Sequence, residues 1–270
     1  MVSFPPCKIN LGLNVIRKRT DGYHDIATCF YPVPWTDALE IVPSKNFTFS
    51  TSGDQVPGAV ADNLCVRAYE LLKKDFPLKP VNVHLLKKIP IGAGLGGGSA
   101  DGAYTLKMLN DLFELSLTKD RLIDYAAMLG SDCPFFIESK PVIGSGRGEI
   151  LSPANLSLKG KYLIVVKPEV SISTRQAFSE TIPREPGVDI RTIIENHPPA
   201  DWKLFLKNDF EESTFKRFPI IQVIHTKLYA FGATYASMSG SGSAVFGLFE
   251  QEVDLRNEFQ SLTYWSEYLD

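Results

Sequence analysis

The sequence predicts an α+β fold arranged in two lobes. Segments with strand periodicity and segments with helix periodicity follow one another without the regular strand–helix–strand alternation of a doubly wound sheet. The character of the chain changes beyond about residue 155, where a buried apolar run precedes a stretch that holds four prolines. We therefore expect an N-terminal lobe over residues 1–155 and a C-terminal lobe over residues 156–270.

The first predicted elements are strands that lead to a glycine-rich loop. In CKINLGLNVI, residues 7–16, the apolar positions alternate with Lys8, Asn10, Gly12 and Asn14, which predicts a strand with one polar face. Residues 81–86, VNVHLL, alternate in the same way. Pro90 and the glycine run follow, so we expect the loop to be reached from a strand.

Helices are predicted on the far side of the loop. Ser99 can cap a helix in which leucines recur at helical spacing, and a second helix is expected over residues 119–129, where Gly130 ends it. The stretch SDCPFF, residues 131–136, opens the next element.

The remaining elements belong to the expected C-terminal lobe. Residues 161–168, KYLIVVKP, predict a buried strand, and the proline-containing residues 183–199 predict a surface connection. Helical patterns near residues 202–231 lead to a second small-residue loop, SMSGSGSAVFGLF, whose last half predicts another strand.

Composition excludes several classes of function. The chain has 270 residues, 44% of them hydrophobic, and a formal net charge of −3, which argues against broad attraction to nucleic acid or to an acidic membrane. It lacks an N-terminal basic region followed by an apolar run, and no stretch of about 18 apolar residues occurs. We expect a soluble, cytoplasmic protein with no nucleic-acid or membrane partner, and its oligomeric state stays open.

The four cysteines suggest no metal site and no disulfide framework. Cys7, Cys29, Cys65 and Cys133 are scattered, with no CxxC pair and no clustered histidines. Reduced thiols, and no metal held by protein side chains alone, are therefore expected.

The glycine loop carries the clearest functional signal. The stretch PIGAGLGGGSADGA, residues 90–103, places five glycines within Gly92–Gly98, immediately before a predicted helix. Consecutive N–H groups of such a loop can point at one anion, which then also lies at the positive end of the helix dipole. Phosphate is the natural ligand for this arrangement.

Three other interpretations of the loop are weaker. Gly92, Gly94 and Gly97 satisfy G-x-G-x-x-G, but the following helix is succeeded by another helix and not by a strand with an acidic end. The Walker pattern fails because Gly98 stands where its lysine is required. A loop that only turns the chain and binds no ligand would not explain so many glycines, because glycine loses much conformational entropy on folding.

Three stretches resemble the motifs of the GHMP kinase superfamily, which includes galactokinase, homoserine kinase and mevalonate kinase. They are PPCKINLGLNV at residues 5–15, PIGAGLGGGSAD at residues 90–101 and SMSGSGSAVFG at residues 237–247. The resemblance implies a ribosomal-S5-domain-2-like N-terminal lobe, a ferredoxin-like C-terminal lobe, a substrate cleft between them, and ATP as phosphoryl donor with Mg²⁺ carried by it. Cys7, Ala100 and Ser239 depart from the usual alanine, serine and threonine.

Within the superfamily, KINLGL and RTDGYHDI are similar to a branch that phosphorylates the 2-hydroxyl of a cytidyl diphosphate derivative of methylerythritol. This resemblance implies catalytic roles for Lys8 and Asp132, with Asp132 accepting the hydroxyl proton and Lys8 keeping that carboxylate ionised. The implied ATP-binding residues are Pro90, Ile91, Gly92, Ala93, Gly94, Leu95, Gly96, Gly97, Gly98, Ser99, Ala100, Asn63 and Lys87. The implied substrate-binding residues are Asn10, Tyr23, His24, Thr174 and Phe178, with Tyr23 stacking on the base and His24 bonded to its edge.

Each of these assignments has a plainer alternative. Asp132 in GSDCP is by itself an ordinary turn or cap residue, Lys8 a solvated or ion-paired lysine, and Phe178 a core side chain. Two rival functions also stay open. One is a mevalonate- or homoserine-type kinase of the same superfamily, and the other is a non-catalytic regulator that binds nucleotide.

Overall fold

The computed structural model describes residues 1–270, and strands and helices alternate irregularly along them. The strands are β1 (Val2–Ser3), β2 (Pro6–Lys18), β3 (His24–Thr36), β4 (Ala38–Pro43), β5 (Thr48–Gly53), β6 (Val81–Lys87), β7 (Val142–Ser145), β8 (Ile150–Pro153), β9 (Tyr162–Lys167), β10 (Tyr235–Met238), β11 (Val245–Phe249) and β12 (Thr263–Tyr268). The α-helices are α1 (Leu64–Asp75), α2 (Gly97–Leu112), α3 (Lys119–Leu129), α4 (Phe135–Glu138), α5 (Thr174–Ser179), α6 (Ile190–Asn196), α7 (Trp202–Phe205), α8 (Glu211–Arg217) and α9 (Pro219–Ala230). None of these helices is both long enough and apolar enough to cross a bilayer.

The strands form three four-stranded sheets with the orders β1-β4-β6-β5, β2-β3-β7-β8 and β10-β11-β9-β12. Pairing is antiparallel in the first and last sheets except between β5 and β6, where Thr48 lies opposite Asn82 in parallel register. Mainly antiparallel sheets joined by hairpins and by helical segments are typical of an α+β protein, as the sequence predicts.

The chain folds into two compact units. The first unit comprises Met1–Cys7, Trp35–Ile91 and Gly96–Lys140, and the second comprises Lys8–Pro34, Gly92–Leu95 and Pro141–Asp270. The glycine loop is thus shared, with Gly92–Leu95 in the second unit and its continuation into α2 in the first. The two units are defined by contacts within the folded chain and are not the two predicted lobes. The division into lobes at residue 155 stays a prediction.

In the first unit, α1 and α2 pack closely. A Cβ atom on Gly102 of α2 would lie 2.9 Å from the Cβ atom of Leu64, so only glycine allows the two backbones to approach this far. On β6, Val81, Val83 and Leu85 are buried and Asn82 is exposed, which confirms the predicted alternation and gives the sheet its apolar face.

In the second unit, the sheet β10-β11-β9-β12 packs against α9. The central strands β9 and β11 are buried almost throughout, and Ile221, Ile224 and Leu228 line the inner face of α9. Their spacing of three and four residues is the amphipathic pattern that the sequence shows in this region. This core supports the second small-residue loop, which connects β10 to β11.

Two predictions about local structure are wrong. Ser99 does not cap α2, because the N-cap is Gly96 in the left-handed conformation with φ of 71° and no side-chain cap. The turn is made by glycine geometry, so the helix begins two residues before the serine. The proline-containing segment is not only a surface connection, since Asp189 caps α6, whose Ile190, Ile193 and Ile194 are buried. The prolines on both sides of this short helix indicated a loop, so the sequence did not predict the helix.

Candidate active site

The start of α2 offers backbone donors to an anion. The first turn of an α-helix leaves its N–H groups without intrahelical partners, and Gly97, Gly98 and Ser99 form that turn here. A Cβ atom on Gly98 would meet no atom within 4 Å, so the backbone at this position faces open space. The geometry is therefore suited to a phosphate group approaching the positive end of the helix dipole.

Gly97 is a glycine for a different reason. A Cβ atom there would lie 2.8 Å from Cγ2 of Ile89 and 2.9 Å from Nζ of Lys87. Both distances are shorter than a real Cβ atom accepts, so the helix start packs tightly against the last residue of β6 and against Ile89. Neighbouring glycines of one motif thus serve two needs: packing at Gly97 and access at Gly98.

The part of the loop in the second unit is held by two side chains. The carbonyl oxygen of Gly94 accepts hydrogen bonds from Ser239 Oγ at 2.9 Å and from Lys8 Nζ at 2.8 Å. The carbonyl oxygen of Ala93 accepts from the N–H group of Ala244 at 3.1 Å. These contacts attach Gly92–Leu95 to the small-residue loop between β10 and β11.

Exposure varies along the predicted phosphate loop. Ile91, Gly92 and Gly98 are exposed, and Ser99 is half-buried. The remaining members either are buried or only partly reach solvent: Pro90, Ala93, Gly94, Leu95, Gly96, Gly97 and Ala100. The buried Ala93 and Leu95 keep the loop attached, while the exposed Gly92 and Gly98 present backbone to solvent.

Lys8 and Asn10 lie on the predicted polar face of β2, but that face is buried. Lys8 is 3% exposed, and its Nζ donates to Asn10 Oδ1 at 2.5 Å as well as to Gly94. Asn10 Nδ2 donates to Thr28 Oγ1 at 2.9 Å, and Thr28 Oγ1 donates in turn to the carbonyl oxygen of Gly12 at 2.6 Å. A buried polar network of this kind fixes its members in single orientations.

Asp132 lies in the turn between α3 and α4, in the first unit, and is half-buried. The preceding Gly130 ends α3, as predicted, and its carbonyl accepts from the N–H group of Cys133 at 3.2 Å. Burial raises the pKa of the Cys133 thiol to about 12, while a hydrogen bond with the Ser99 side chain lowers it. Ser99 and the Asp132 turn are therefore neighbours, which brings two predicted site residues together.

Asn63 and Lys87 have structural partners in the first unit. Asn63 caps α1, because its Oδ1 accepts from the N–H group of Cys65 at 2.9 Å. The Lys87 ammonium is 2% exposed and binds the carboxylates of Asp37 and Asp101. Their contacts to a nucleotide stay predictions.

The predicted substrate residues in the second unit include a stacked aromatic pair. The rings of His24 and Phe178 are 4.8 Å apart with an interplanar angle of 13°, and Phe178 packs edge-on against Phe210. Burial, and then the charge of Lys18, lower the pKa of His24, which favours the neutral imidazole.

Tyr23 is 55% exposed, and the guanidinium carbon of Arg147 lies 4.7 Å from its ring centroid. Arg147 therefore covers part of the tyrosine by a cation–π contact. Thr174 begins α5, and its Oγ1 lies 3.2 Å from the hydroxyl of Ser241 in the loop between β10 and β11.

The sequence did not identify Thr28 or Arg147 as parts of these clusters. Thr28 lies on β3, and only the pairing of β3 with β2 brings it to Asn10. Arg147 lies in the turn between β7 and β8, with no motif that connects it to Tyr23. No group of three or more His, Cys, Asp or Glu side chains is arranged to hold a metal ion.

Two family models match the chain. Residues 63–140 match the GHMP kinases N terminal domain, and residues 194–264 match the GHMP kinases C terminal domain. Among curated proteins, the 4-diphosphocytidyl-2-C-methyl-D-erythritol kinase of Bacteroides fragilis is 51% identical over 93% of each chain. The protein of the same name from Cytophaga hutchinsonii is 47% identical over 96% of each chain.

Solved structures show the same similarity. The crystal structure of a 4-(cytidine 5'-diphospho)-2C-methyl-D-erythritol kinase is 30% identical, covers 98% of both chains and superposes with a TM-score of 0.83. Homoserine kinase from Cytophaga hutchinsonii is 14% identical and superposes with a TM-score of 0.68 over 97% of this chain and 94% of its own. At that identity, the second match concerns the fold alone.

Proposed function

The chain belongs to the GHMP kinases and, within them, to the 4-diphosphocytidyl-2-C-methyl-D-erythritol kinases, and from this premise we propose that it phosphorylates the 2-hydroxyl of 4-diphosphocytidyl-2-C-methyl-D-erythritol with ATP. The products would be the 2-phosphate and ADP, a step of the non-mevalonate route to isoprenoid precursors in the cytoplasm. The observation that carries the proposal is the identity of 47–51% over nearly the full length of relatives with this name. The expected GHMP kinase fold is confirmed by the matches to both family domains.

Phosphoryl transfer requires a phosphate site and accurate positioning more than covalent help from the protein. The N–H groups at the start of α2 would supply that site, since the backbone at Gly98 faces open space. Lys8 and Ser239 would support it by holding the Gly94 carbonyl inward.

Mg²⁺ would come with the nucleotide, because it is usually bound through substrate phosphates and few protein ligands. The half-buried Ser99 hydroxyl at the first turn of α2 is a suitable oxygen ligand beside the phosphate oxygens. When bound, Mg²⁺ would neutralise part of the phosphate charge.

Asp132 would orient the 2-hydroxyl and accept its proton as the new oxygen–phosphorus bond forms and the bond to the β-phosphate oxygen breaks. In support, the Asp132 turn adjoins Ser99 at the helix start where the phosphates would lie. Lys8 would offset negative charge on the transferring group. Its ammonium is already oriented by Asn10 and Gly94, so little side-chain entropy would be lost in the reaction.

The cytidyl group would be recognised by aromatic and imidazole side chains. A neutral His24 has one ring nitrogen that donates and one that accepts, which matches the amino group and ring nitrogen of the cytosine edge. Tyr23 and Phe178 would supply ring faces, and Asn10 and Thr174 would contact the diphosphate or the erythritol.

A substrate panel tests the proposal. ADP release from ATP should depend on 4-diphosphocytidyl-2-C-methyl-D-erythritol and should be absent with mevalonate or homoserine. ADP release with either of those alcohols would favour a different kinase of the superfamily. Binding of ATP with no ADP release from any alcohol would favour a nucleotide-binding regulator.

A further inference from the structure

A series of hydrogen bonds runs from the backbone of β2 to the ammonium group of Lys8. The Thr28 hydroxyl on β3 donates to the carbonyl oxygen of Gly12 at 2.6 Å and accepts from Asn10 Nδ2 at 2.9 Å. Asn10 Oδ1 accepts from Lys8 Nζ, and this ammonium also donates to the carbonyl oxygen of Gly94 at 2.8 Å. We call these groups the Thr28 relay. It connects a strand backbone to the glycine loop.

The side chains of the Thr28 relay are buried. Thr28, Asn10 and Lys8 are each at most 3% exposed. Thr28 lies on a strand with β2 on one side and β7 on the other, and it is paired with Gly144 of β7. The sheet therefore fixes the position of its hydroxyl, and a lost hydrogen bond here would leave a buried polar group unpaired.

The donors and acceptors of the relay point in one direction. A backbone carbonyl can only accept, and a hydroxyl carries a single hydrogen, so the hydrogen of Thr28 is committed to Gly12. The hydroxyl then offers Asn10 only a lone pair, and the side-chain amide must present its amino group to Thr28. The amide oxygen consequently faces Lys8, whose ammonium can only donate.

Removal of the Thr28 hydroxyl would cancel this constraint. In its present orientation the Asn10 amide would keep its bond to Lys8, but its amino group would lose its partner. In the flipped orientation the amino group would face the Lys8 ammonium, and two donors would meet. Both orientations are unfavourable for buried groups, so the amide would no longer be held in a single one.

We propose that Thr28 is a positioning residue for phosphoryl transfer, which acts through Asn10 to hold the Lys8 ammonium in the orientation that the reaction requires. The proposal rests on the proposed function, in which Lys8 offsets charge on the transferring group. A lysine side chain is long and flexible, so acceptors at fixed positions confine its ammonium. Displacement of a group by about 1 Å from its productive position can reduce turnover by about 10²-fold.

Thr28→Val tests the proposal, because it removes the hydroxyl and keeps the branched shape of the side chain. The kcat for ADP release with 4-diphosphocytidyl-2-C-methyl-D-erythritol should fall about 10- to 100-fold, whereas the KM for ATP should stay within about threefold of the wild type. Thr28→Ser keeps the hydroxyl and should return kcat to within about threefold of the wild type. A general loss of structure would produce neither this split between kcat and KM nor the recovery with serine.

Thr105→Val is the matched control. Thr105 on α2 is as fully buried as Thr28, and its hydroxyl also donates to a backbone carbonyl, that of Asp101, at 2.8 Å. Both valine variants should lose similar stability in urea unfolding, since each loses a buried hydroxyl that donates to a carbonyl. Only Thr28→Val should lower kcat.

A double-mutant cycle tests whether Thr28 acts through Asn10. In an Asn10→Ala background, which has already lost the amide acceptor for Lys8, Thr28→Val should change kcat by less than about twofold. If Thr28→Val fails to fold, Thr28→Ala and Thr28→Ser provide the comparison, because they differ only in the hydroxyl. The kcat of Thr28→Ala should then be about tenfold or more below that of Thr28→Ser.

A wild-type kcat in folded Thr28→Val, or an equal loss of kcat in Thr105→Val, would overturn the role of Thr28. So would a serine variant that does not recover kcat, or an undiminished effect of Thr28→Val in the Asn10→Ala background. The wild type would still release ADP in these cases, and the proposed function would stand. A folded wild type that releases no ADP with this substrate would instead contradict the proposed function.

Discussion

Ser239 and Gly94 are in contact through both side chain and backbone. The Ser239 hydroxyl donates to the Gly94 carbonyl at 2.9 Å, and the Ser239 carbonyl oxygen lies 1.9 Å from where a Cβ atom on Gly94 would be. Gly94 also has a φ of +77°, which side chains rarely adopt. The two small-residue loops, about 145 residues apart in sequence, therefore join at a point where only glycine fits.

Gly94→Ala should reduce both stability and turnover. The added Cβ atom would displace the Ser239 backbone, so we expect a loss of about 2–4 kcal/mol in the free energy of unfolding. Gly160→Ala is the matched control, because Gly160 has a φ of +80° and open space around its Cβ position. It should cost only about 1 kcal/mol, from backbone strain. Urea unfolding of both variants measures the difference, and equal losses would mean that the contact with Ser239 contributes nothing.

Adjacent glycines at the start of α2 should respond differently to alanine. Gly98→Ala places its Cβ atom in open space, so stability should be unchanged or rise by up to about 1 kcal/mol. Its affinity for ATP should nevertheless fall about tenfold or more, because the methyl group occupies the approach to the N–H groups. Gly97→Ala should destabilise the fold through Ile89 and Lys87.

Calorimetry with ATP and urea unfolding distinguish these two effects. An unchanged ATP affinity in Gly98→Ala would show that phosphate does not bind at this turn. An unchanged stability in Gly97→Ala would show that the loop relaxes more readily than its packing indicates.

Local sequence patterns predicted those elements whose ends are determined by residues close by in the sequence. The helix α2 follows from its leucine spacing, the end of α3 from Gly130, and β6 from its alternation. The cap of α2 was mispredicted because a left-handed glycine competes with serine at a helix start, and sequence alone does not rank them. The short α6 was missed because prolines on both sides outweigh one apolar turn.

Some site residues were likewise predicted from motifs, whereas their partners depend on how the chain folds. Motif resemblance supplied Lys8, Asn10 and the glycine loop as a set, and the structure brings Lys8, Asn10 and Gly94 into one hydrogen-bond network. The partner of Asn10 on β3 depends on strand pairing, which alternation does not determine. Lys87 forms buried ion pairs with Asp37 and Asp101, which are distant in sequence, and no local signal indicates these contacts.

Asp132→Asn should lower turnover by about 10²- to 10⁴-fold, the range of general-base catalysis. Its affinity for ATP should stay within about threefold of the wild type, because the amide preserves the size of the side chain. Asp124→Asn, an exposed change on α3, is the control and should keep normal turnover. Steady-state kinetics and ATP calorimetry check both variants. Near-normal turnover of Asp132→Asn would show that Asp132 is an ordinary turn residue and not a catalytic base.

Glu211→Gln should change how stability depends on pH. Burial raises the pKa of Glu211 to about 7, partly offset by hydrogen bonds from Met238 and Ser237. A carboxyl in the unfolded chain titrates near pH 4.3, so the folded protein binds the proton more tightly between these values. The contribution of Glu211 to the free energy of unfolding therefore falls as pH rises from about 4 to about 7. Above pH 7 this contribution is constant.

The glutamine variant keeps the acceptor oxygen for Met238 and Ser237 but cannot titrate. Its loss of stability between pH 5 and pH 8 should be smaller than that of wild type by on the order of 1–2 kcal/mol. Burial also raises the pKa of Asp101, which leaves a residual slope of the same sign. Glu212→Gln, on the exposed side of the same helix, should behave like the wild type in urea unfolding. An identical pH dependence in Glu211→Gln would show that Glu211 stays ionised in the fold.

Selection of cytosine over uracil should depend on His24 and Tyr23. A uracil analogue replaces the exocyclic donor by an acceptor, which leaves a neutral His24 with a mismatched partner, and such sites can reject an analogue by up to about 10⁴-fold. His24→Ala should reduce this preference more than it changes the KM for ATP. Tyr23→Ala should weaken substrate binding by about 1–3 kcal/mol, the scale of base stacking on one aromatic ring.

His84→Ala and Arg147→Met are the comparison variants. His84→Ala removes a half-buried imidazole that is bonded to Ser50 and Ser52, and it should keep the wild-type preference. Arg147→Met should weaken substrate binding less than Tyr23→Ala, because it removes the cation over the ring but leaves the ring for stacking. The measurement is kcat/KM for the cytidyl and uridyl substrates in each variant. Equal kcat/KM values for both substrates in the wild type would contradict a cytosine pocket and favour a kinase for a base-free alcohol.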